Sequence, residues 1–508
     1  MSDATDTTGL PREHFDVLIV GAGISGIGAG YHIESRFPGK TYAILEARDD
    51  MGGTWDLFRY PGIRSDSDMH TLGFKFHPWT EAEAIADGPA ILRYVHDTAR
   101  EYGIDRNVRF NHRVVRAEWS TPDARWTVEA ERTDTGETVE LTCGFLFSCS
   151  GYYRYDEGYL PDFEGVERFK GVFVHPQHWP EDLDYAGKRV LVIGSGATAV
   201  TLVPAMADDA AHVTMLQRSP SYIVSLPGQD PIANFLRRVL PDKTAYAVTR
   251  WKNVFIQALV YQLCRRRPDL MKRLIRRGVM RQLPPGYDVD KHFTPKYNPW
   301  DQRLCLVPDG DLFKSISEGR ASMVTDTIET FTENGIKLSS GEELEADIIV
   351  SATGLNLLVF GGISLSVDGL EVEVPKAMAY KSMMLSGVPN FAFALGYTNA
   401  SWTLKVDVTC EYVCRLLAYM DERGYRQCTP QINDPSVTEE PFLDFTAGYV
   451  LRSIHKFPKQ GNKQPWRLPM NYALDIRTLR YGPIEDGAMV FSSPEPGAEV
   501  TEEVEVAA

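Results

Sequence analysis

Two stretches decide the fold: Phe15-Asp16-Val17-Leu18-Ile19-Val20-Gly21-Ala22-Gly23-Ile24-Ser25-Gly26 and Lys188-Arg189-Val190-Leu191-Val192-Ile193-Gly194-Ser195-Gly196-Ala197-Thr198-Ala199. Each begins with a short apolar run suited to a strand buried on both faces. Each then turns on glycines into a helical pattern. In the first, Gly21 permits the tight turn, Gly23 lets backbone approach a pyrophosphate, and Gly26 lets helix and strand pack closely. The start of the helix offers free N–H groups to phosphate, together with Ser25. A second strand, Tyr42-Ala43-Ile44-Leu45, ends in Glu46, twenty residues after Gly26, where a carboxylate can accept from a ribose diol. A glycine turn alone is weak evidence; with strand, helix and acid at these spacings it specifies a dinucleotide site.

The second stretch is the G-x-G-x-x-A variant. Its next strand, His212 to Leu216, runs into Gln217-Arg218-Ser219. A carboxylate there would repel a 2′-phosphate, whereas a guanidinium binds one. NADPH is therefore favoured over NADH, with Arg218 and Ser219 as the discriminating pair. After the first acid come Gly52-Gly53-Thr54-Trp55, placed to follow a pyrophosphate towards a flat ring, which favours FAD at the first site. Two nucleotide folds in one chain imply a flavin and the nicotinamide that reduces it. Disulfide reductases share that plan but need a redox Cys pair, and no C-x-x-C occurs among the seven cysteines.

At 508 residues the chain should divide into two or three domains. A net charge of −16 argues against general nucleic-acid binding. The scattered cysteines fit a reduced cytoplasm, and no metal site is expected. Met1 to Phe15 is polar and acidic, unlike a signal peptide, and no apolar run is long enough to span a bilayer. The charge is unevenly spread: between Pro231 and Lys291 stand 14 Lys/Arg against four Asp. Phe255, Leu259 and Leu263 make an apolar stripe there. The stretch reads either as a peripheral contact with anionic lipid or as a helical subdomain with a solvated charged face.

Between the two folds lies Phe169-Lys170-Gly171-Val172-Phe173-Val174-His175-Pro176-Gln177-His178-Trp179-Pro180. It resembles the F-x-G-x-x-x-H-x-x-x-W-P fingerprint of Baeyer–Villiger flavin monooxygenases; the sister flavin-containing monooxygenases end that motif in Tyr or Phe. The resemblance runs from about residue 15 to about 480 and is nearest a mycobacterial group. It includes Gly52 to Met69, Tyr297-Asn298-Pro299-Trp300-Asp301-Gln302-Arg303, Asp347 to Gly354, and Tyr397-Thr398-Asn399-Ala400-Ser401-Trp402.

The resemblance implies an enzyme that uses FAD, NADPH and O2 on a small apolar ketone or sulfide. Ketones would give esters, and sulfides or thioamides would be S-oxygenated, through a C4a-peroxyflavin stabilised by Arg303. Asp66 would hold and adjust that arginine. It implies FAD contacts at Gly53, Thr54, Trp55, Asp56, Leu57, Asp66 and Val114 beside Gly21, Gly23, Ser25, Gly26 and Glu46. For NADP it implies Arg64, Ser65 and Asp66, then Gly194, Ser195, Gly196, Ala197, Thr198, Ala199, Val200 and Thr201, with Arg218 and Ser219. Many family members carry Lys before the arginine; Gln302 stands here, which throws more of the phosphate contact onto Arg218. His175 is expected to serve as a hinge between domains rather than in chemistry. A flavin N- or S-oxygenase without ketone activity and an oxidase-like NADPH flavoprotein remain the rival readings.

The expected architecture is α/β: two doubly wound dinucleotide-binding domains with a helical insertion. Residues 1–150 should form the first part of the FAD domain and 331–495 its completion. Residues 151–225 and 296–330 should form the NADPH domain, 226–295 its helical insertion, and 496–508 a disordered tail.

Overall fold

The computed structural model describes residues 12–443 and 445–494; the tail expected at 496–508 lies outside them. The first glycine motif leaves strand Glu13–Val20, which pairs in parallel with Tyr42–Leu45 on one side and Thr138–Ser148 on the other. Val17, Leu18 and Ile19 are completely buried there, as an apolar run between two covering layers must be. Helix Ile24–Arg36 covers one face, and the long helix Trp402–Arg423 packs onto it. A side chain at Gly26 would put its Cβ 1.8 Å from the Gly21 carbonyl oxygen, so only glycine allows helix and turn to meet this closely.

An antiparallel meander, His112–Ser120, Arg125–Arg132 and Thr138–Ser148, extends the sheet. Late segments complete it: Phe391–Phe393 lies parallel to Thr138–Ser148, and Ser364–Val367 lies parallel to His112–Ser120. The first fold is thus built from both ends of the chain.

The second sheet is five parallel strands in the order Ala321–Thr325, His212–Gln217, Arg189–Ile193, Ile348–Ser351, Val172–Val174. This corrects the expected change of domain at residue 330. Ile348–Ser351 is buried along its whole length and sits inside the second sheet, reached through an antiparallel patch of Ile328–Phe331, Gly335–Leu338 and Glu343–Glu345. Its Ile348-Ile349-Val350 run suits a strand covered on both sides in either domain, so only the pairing decides where it belongs. The edge strand Val172–Val174 comes from the linker fingerprint itself.

The helical excursion lies between Ile223–Leu226 and Cys305–Pro308, which pair in parallel and bracket it. Its helices are Pro231–Val239, Asp242–Arg266, Pro268–Met280 and Val289–Phe293. Asp230 caps the first, accepting from the N–H groups of Ile232 and Ala233. The longest helix drives buried Arg250 into the first fold. There its guanidinium donates to the carbonyls of His70, Thr71 and Gly73 at 3.0, 3.1 and 2.7 Å and faces Asp407 at 3.4 Å.

Candidate active site

Both glycine turns open into one cavity of about 1600 Å3 between the two folds. From the first fold it is lined by Gly21, Gly23, Ser25, Glu46, Gly53, Thr54, Trp55 and Val114. The second fold contributes Gly194, Ser195, Gly196, Ala197, Thr198, Thr201, Arg218 and Ser219, while Arg64, Ser65, Asp66 and Arg303 stand between the two sets. This is the crevice at the carboxyl ends of parallel strands where open α/β sheets bind ligands.

Five expected contact residues do not line it. Gly26 packs against its own turn, and Ala199 and Val200 are fully buried in the core of the second fold. Leu57 packs on that same core. Asp56 is buried and takes up two arginines, Arg48 at 2.6 Å and Arg59 at 2.5 Å. All five lie behind the residues that face the cavity.

Glu46 is buried at the end of its strand. One carboxylate oxygen accepts from the Ala22 N–H at 2.7 Å and the other from the Arg48 N–H at 3.0 Å. Burial pushes its carboxyl above the ordinary range, against the pull of those N–H groups. In the second turn the Ser195 hydroxyl meets that of Ser221 at 2.9 Å. Arg218 is exposed at the rim and forms no ion pair among the described residues.

Deeper in, Arg303 and Asp66 meet in a two-point contact, Nη2 to Oδ1 at 2.9 Å and Nε to Oδ2 at 2.7 Å. About a third of each side chain stays accessible, and that surface faces the cavity. Burial works against the guanidinium charge, but the Asp66 carboxylate and the phenols of Tyr449, Tyr152 and Tyr153 outweigh it and hold the proton more firmly than usual. Burial also raises those three phenols, which keeps them protonated hydrogen-bond donors. Tyr155 follows, pushed up to about 12.

The loop carrying Arg303 is held from three sides. The Tyr222 hydroxyl donates to the Tyr297 carbonyl at 2.7 Å, Arg265 reaches Asp301 at 2.9 Å, and the Thr446 hydroxyl donates to the Asp301 carbonyl at 2.8 Å. Arg64 is anchored on Asp311 at 2.5 Å. His175 lies outside the lining. Its Nε2 is 3.2 Å from the Gly354 carbonyl, and burial lowers its pKa, so it joins the linker to the end of strand Ile348–Ser351.

Sequence reasoning missed Tyr152, Tyr153, Tyr155, Tyr449 and Arg452 as lining residues. A signal existed for the first three: Gly151-Tyr152-Tyr153-Arg154-Tyr155 directly follows the exit of Thr138–Ser148, the position at which such sheets bind ligands. Tyr152 stacks on Trp402 with centroids 5.4 Å apart.

The donor set fits two dinucleotides. A Cβ added at Gly196 would meet nothing within 4 Å, so backbone lies open to the cavity there. Of the lining residues, Arg64 Nε and Tyr297 Oη are buried without partners. Open glycine backbone, unpaired donors and free cations are what pyrophosphate and a 2′-phosphate require.

Known proteins share this sequence and this fold. The flavin-binding monooxygenase-like (FMO-like) family model matches residues 15–387. The FAD-containing monooxygenase EthA of Mycobacterium tuberculosis (strain ATCC 25618 / H37Rv) is 60% identical over 481 residues, covering 94% of this chain and 98% of its own. EthA of Mycolicibacterium smegmatis is 55% identical, covering 94% and 97%. A solved structure of oxidized steroid monooxygenase bound to NADP superposes with a TM-score of 0.73 at 22% identity, covering 94% of this chain and 100% of that one. With its two nucleotide folds, its linker fingerprint and these relatives, the chain belongs to the flavin-binding monooxygenase-like family, on the fold of the Baeyer–Villiger enzymes.

Proposed function

We propose that the cavity oxygenates a small apolar ketone or sulfide, and that Arg303 is the residue that makes oxygen transfer possible. The chain is a flavoprotein monooxygenase, with FAD at the Gly21 turn and NADPH at the Gly194 turn. When bound, the flavin would supply the redox chemistry, accepting hydride from NADPH and passing electrons to O2. Everything else falls to the protein's own residues.

The observation that carries the reading is the Arg303–Asp66 pair, set between the two glycine turns in a cavity that also offers buried phenols. Negative charge develops on oxygen during such transfer, and a fixed cation in a water-poor site stabilises it without reorganisation. Arg303 suits the task because it stays charged at any working pH. Asp66 orients it through two bonds, and Tyr153, which accepts from the Tyr152 hydroxyl, stands by as a neutral donor. Arg64, Ser65 and Asp66 border the nicotinamide side, and Arg218 with Ser219 receives the 2′-phosphate. The aromatic walls at Tyr152, Trp402 and Tyr449 favour an apolar substrate.

Arg303→Ala tests this. FAD content and NADPH oxidation should persist, while oxygenated product falls by about 10²–10³-fold, the usual cost of losing one charge-stabilising donor. Product formed at a near wild-type rate would sink the assignment. A panel of simple ketones and sulfides separates the rivals: ester formation speaks for Baeyer–Villiger chemistry, S-oxide alone for a sulfur oxygenase. NADPH consumption with no oxygenated product marks an oxidase.

A further inference from the structure

Among the described residues, twelve of the twenty-one exposed large hydrophobic side chains fall between Ile232 and Met280. On helix Asp242–Arg266 they form a row. Val248, Trp251, Phe255 and Leu259 follow one another at three- and four-residue intervals, with 47%, 54%, 68% and 47% of their surface exposed. Three- and four-residue intervals put them on one face. Ala245, Tyr246, Thr249, Arg250 and Cys264 occupy the other face and are buried against the protein. Helix Pro231–Val239 packs beside it and exposes Ile232, Phe235 and Val239. The apolar stripe therefore faces outward. A helical subdomain with a merely solvated charged face would have turned it inward.

The cations around it are equally uncommitted. Arg238, Arg266, Arg267, Arg273 and Arg277 form no ion pair among the described residues, whereas Arg250, Lys252, Arg265 and Arg276 each have a carboxylate. We propose that this outer face of the insertion docks on an anionic lipid bilayer. Apolar side chains enter the headgroup boundary and free arginines meet lipid phosphates, the pairing that holds interfacial helices at a membrane. A second copy of the chain is the poorer occupant, because a self-complementary contact would set these arginines against one another. The docked helix also touches the loop that carries Arg303: Tyr261 packs edge-on to Trp300 at 5.7 Å and Arg265 holds Asp301.

The test is co-sedimentation of the flavin-loaded enzyme with phosphatidylcholine vesicles, with and without phosphatidylglycerol, at low and moderate salt. Retention on the anionic vesicles, weakened by salt and accompanied by a blue shift of tryptophan emission that Trp251→Phe removes, is expected. Phe255→Ser with Leu259→Ser should lower retention by at least about tenfold. Arg266→Gln with Arg277→Gln should lower both retention and its salt dependence, and NADPH oxidation should be unchanged in both double variants. No retention on either vesicle, or retention that survives both variants, overturns the proposal. So does a dimer that the same substitutions dissolve in the absence of vesicle binding, which would assign the face to a second copy.

Discussion

The two glycine turns are the same backbone device used twice. The Gly21 N–H donates to the Leu45 carbonyl at 2.7 Å, and the Gly194 N–H donates to the Leu216 carbonyl at 2.8 Å. A Cβ at Gly21 would strike the Cys149 carbonyl oxygen at 2.9 Å; at Gly194 it would strike that of Ala352 at 2.3 Å. Leu45 and Leu216 are therefore equivalent, and so are the next residues, Glu46 and Gln217. There the likeness ends. Glu46 folds back onto its own turn through Ala22. Gln217 turns away and donates to the His292 carbonyl at 2.7 Å and the Thr325 hydroxyl at 2.9 Å, leaving the rim to Arg218. One side chain at one strand end separates a site suited to a ribose diol from one suited to a phosphorylated ribose.

Breaking the shared framework should cost most. Gly26→Val drives a side chain into the Gly21 carbonyl and should destabilise the first fold by about 3 kcal/mol or more, with loss of flavin. A variant purified with full flavin absorbance and an unchanged Tm would mean that the close packing is not needed. Changing the distinguishing residue should act on one site only. Arg218→Ala should raise KM for NADPH about 10–100-fold, equivalent to ~1.4–2.7 kcal/mol, and leave KM for NADH nearly alone. Equal effects on both coenzymes would assign Arg218 to general binding.

The smallest effect sharpens the comparison from the other side. Burial raises the Glu46 carboxyl above its ordinary 4.5, so the folded chain binds that proton more tightly than the unfolded one. Linkage then makes the group's contribution most favourable at low pH and less so as pH rises from 4.5 through the raised value. Glu46→Gln removes the titration. Relative to that variant, the wild type should lose a few degrees of Tm across this window, and a constant difference would show that the carboxylate is already compensated.

Much of the frame was legible because it is local. A buried-strand run, a glycine turn and a strand-end residue at a fixed distance are all read within one short stretch, Phe15 to Glu46. Arg303 was legible only through resemblance, since nothing local distinguishes it from an ordinary loop arginine. The domain boundary at 330 failed for a related reason. Ile348–Ser351 carries no mark of the sheet it joins, and its partners Arg189–Ile193 and Val172–Val174 are more than 150 residues away in the chain. Tyr449 reaches the cavity on a short turn after residue 444 and has no periodicity to announce it. Asp56 and Leu57 belong to the right motif but point away from the cavity, a matter of side-chain direction that spacing does not reveal.

Arg250 carries a consequence for anyone who would recombine such enzymes. By chain order the helical insertion belongs to the second nucleotide fold, yet its arginine is seated among the carbonyls of His70, Thr71 and Gly73 and beside Asp407, all in the first. A chimera that exchanges the NADPH half at its sequence boundaries would import a cation with no socket, or leave behind a socket with no cation. The unit of exchange is therefore discontinuous: residues 226–295 must travel together with the 70–73 segment and Asp407 that receive them.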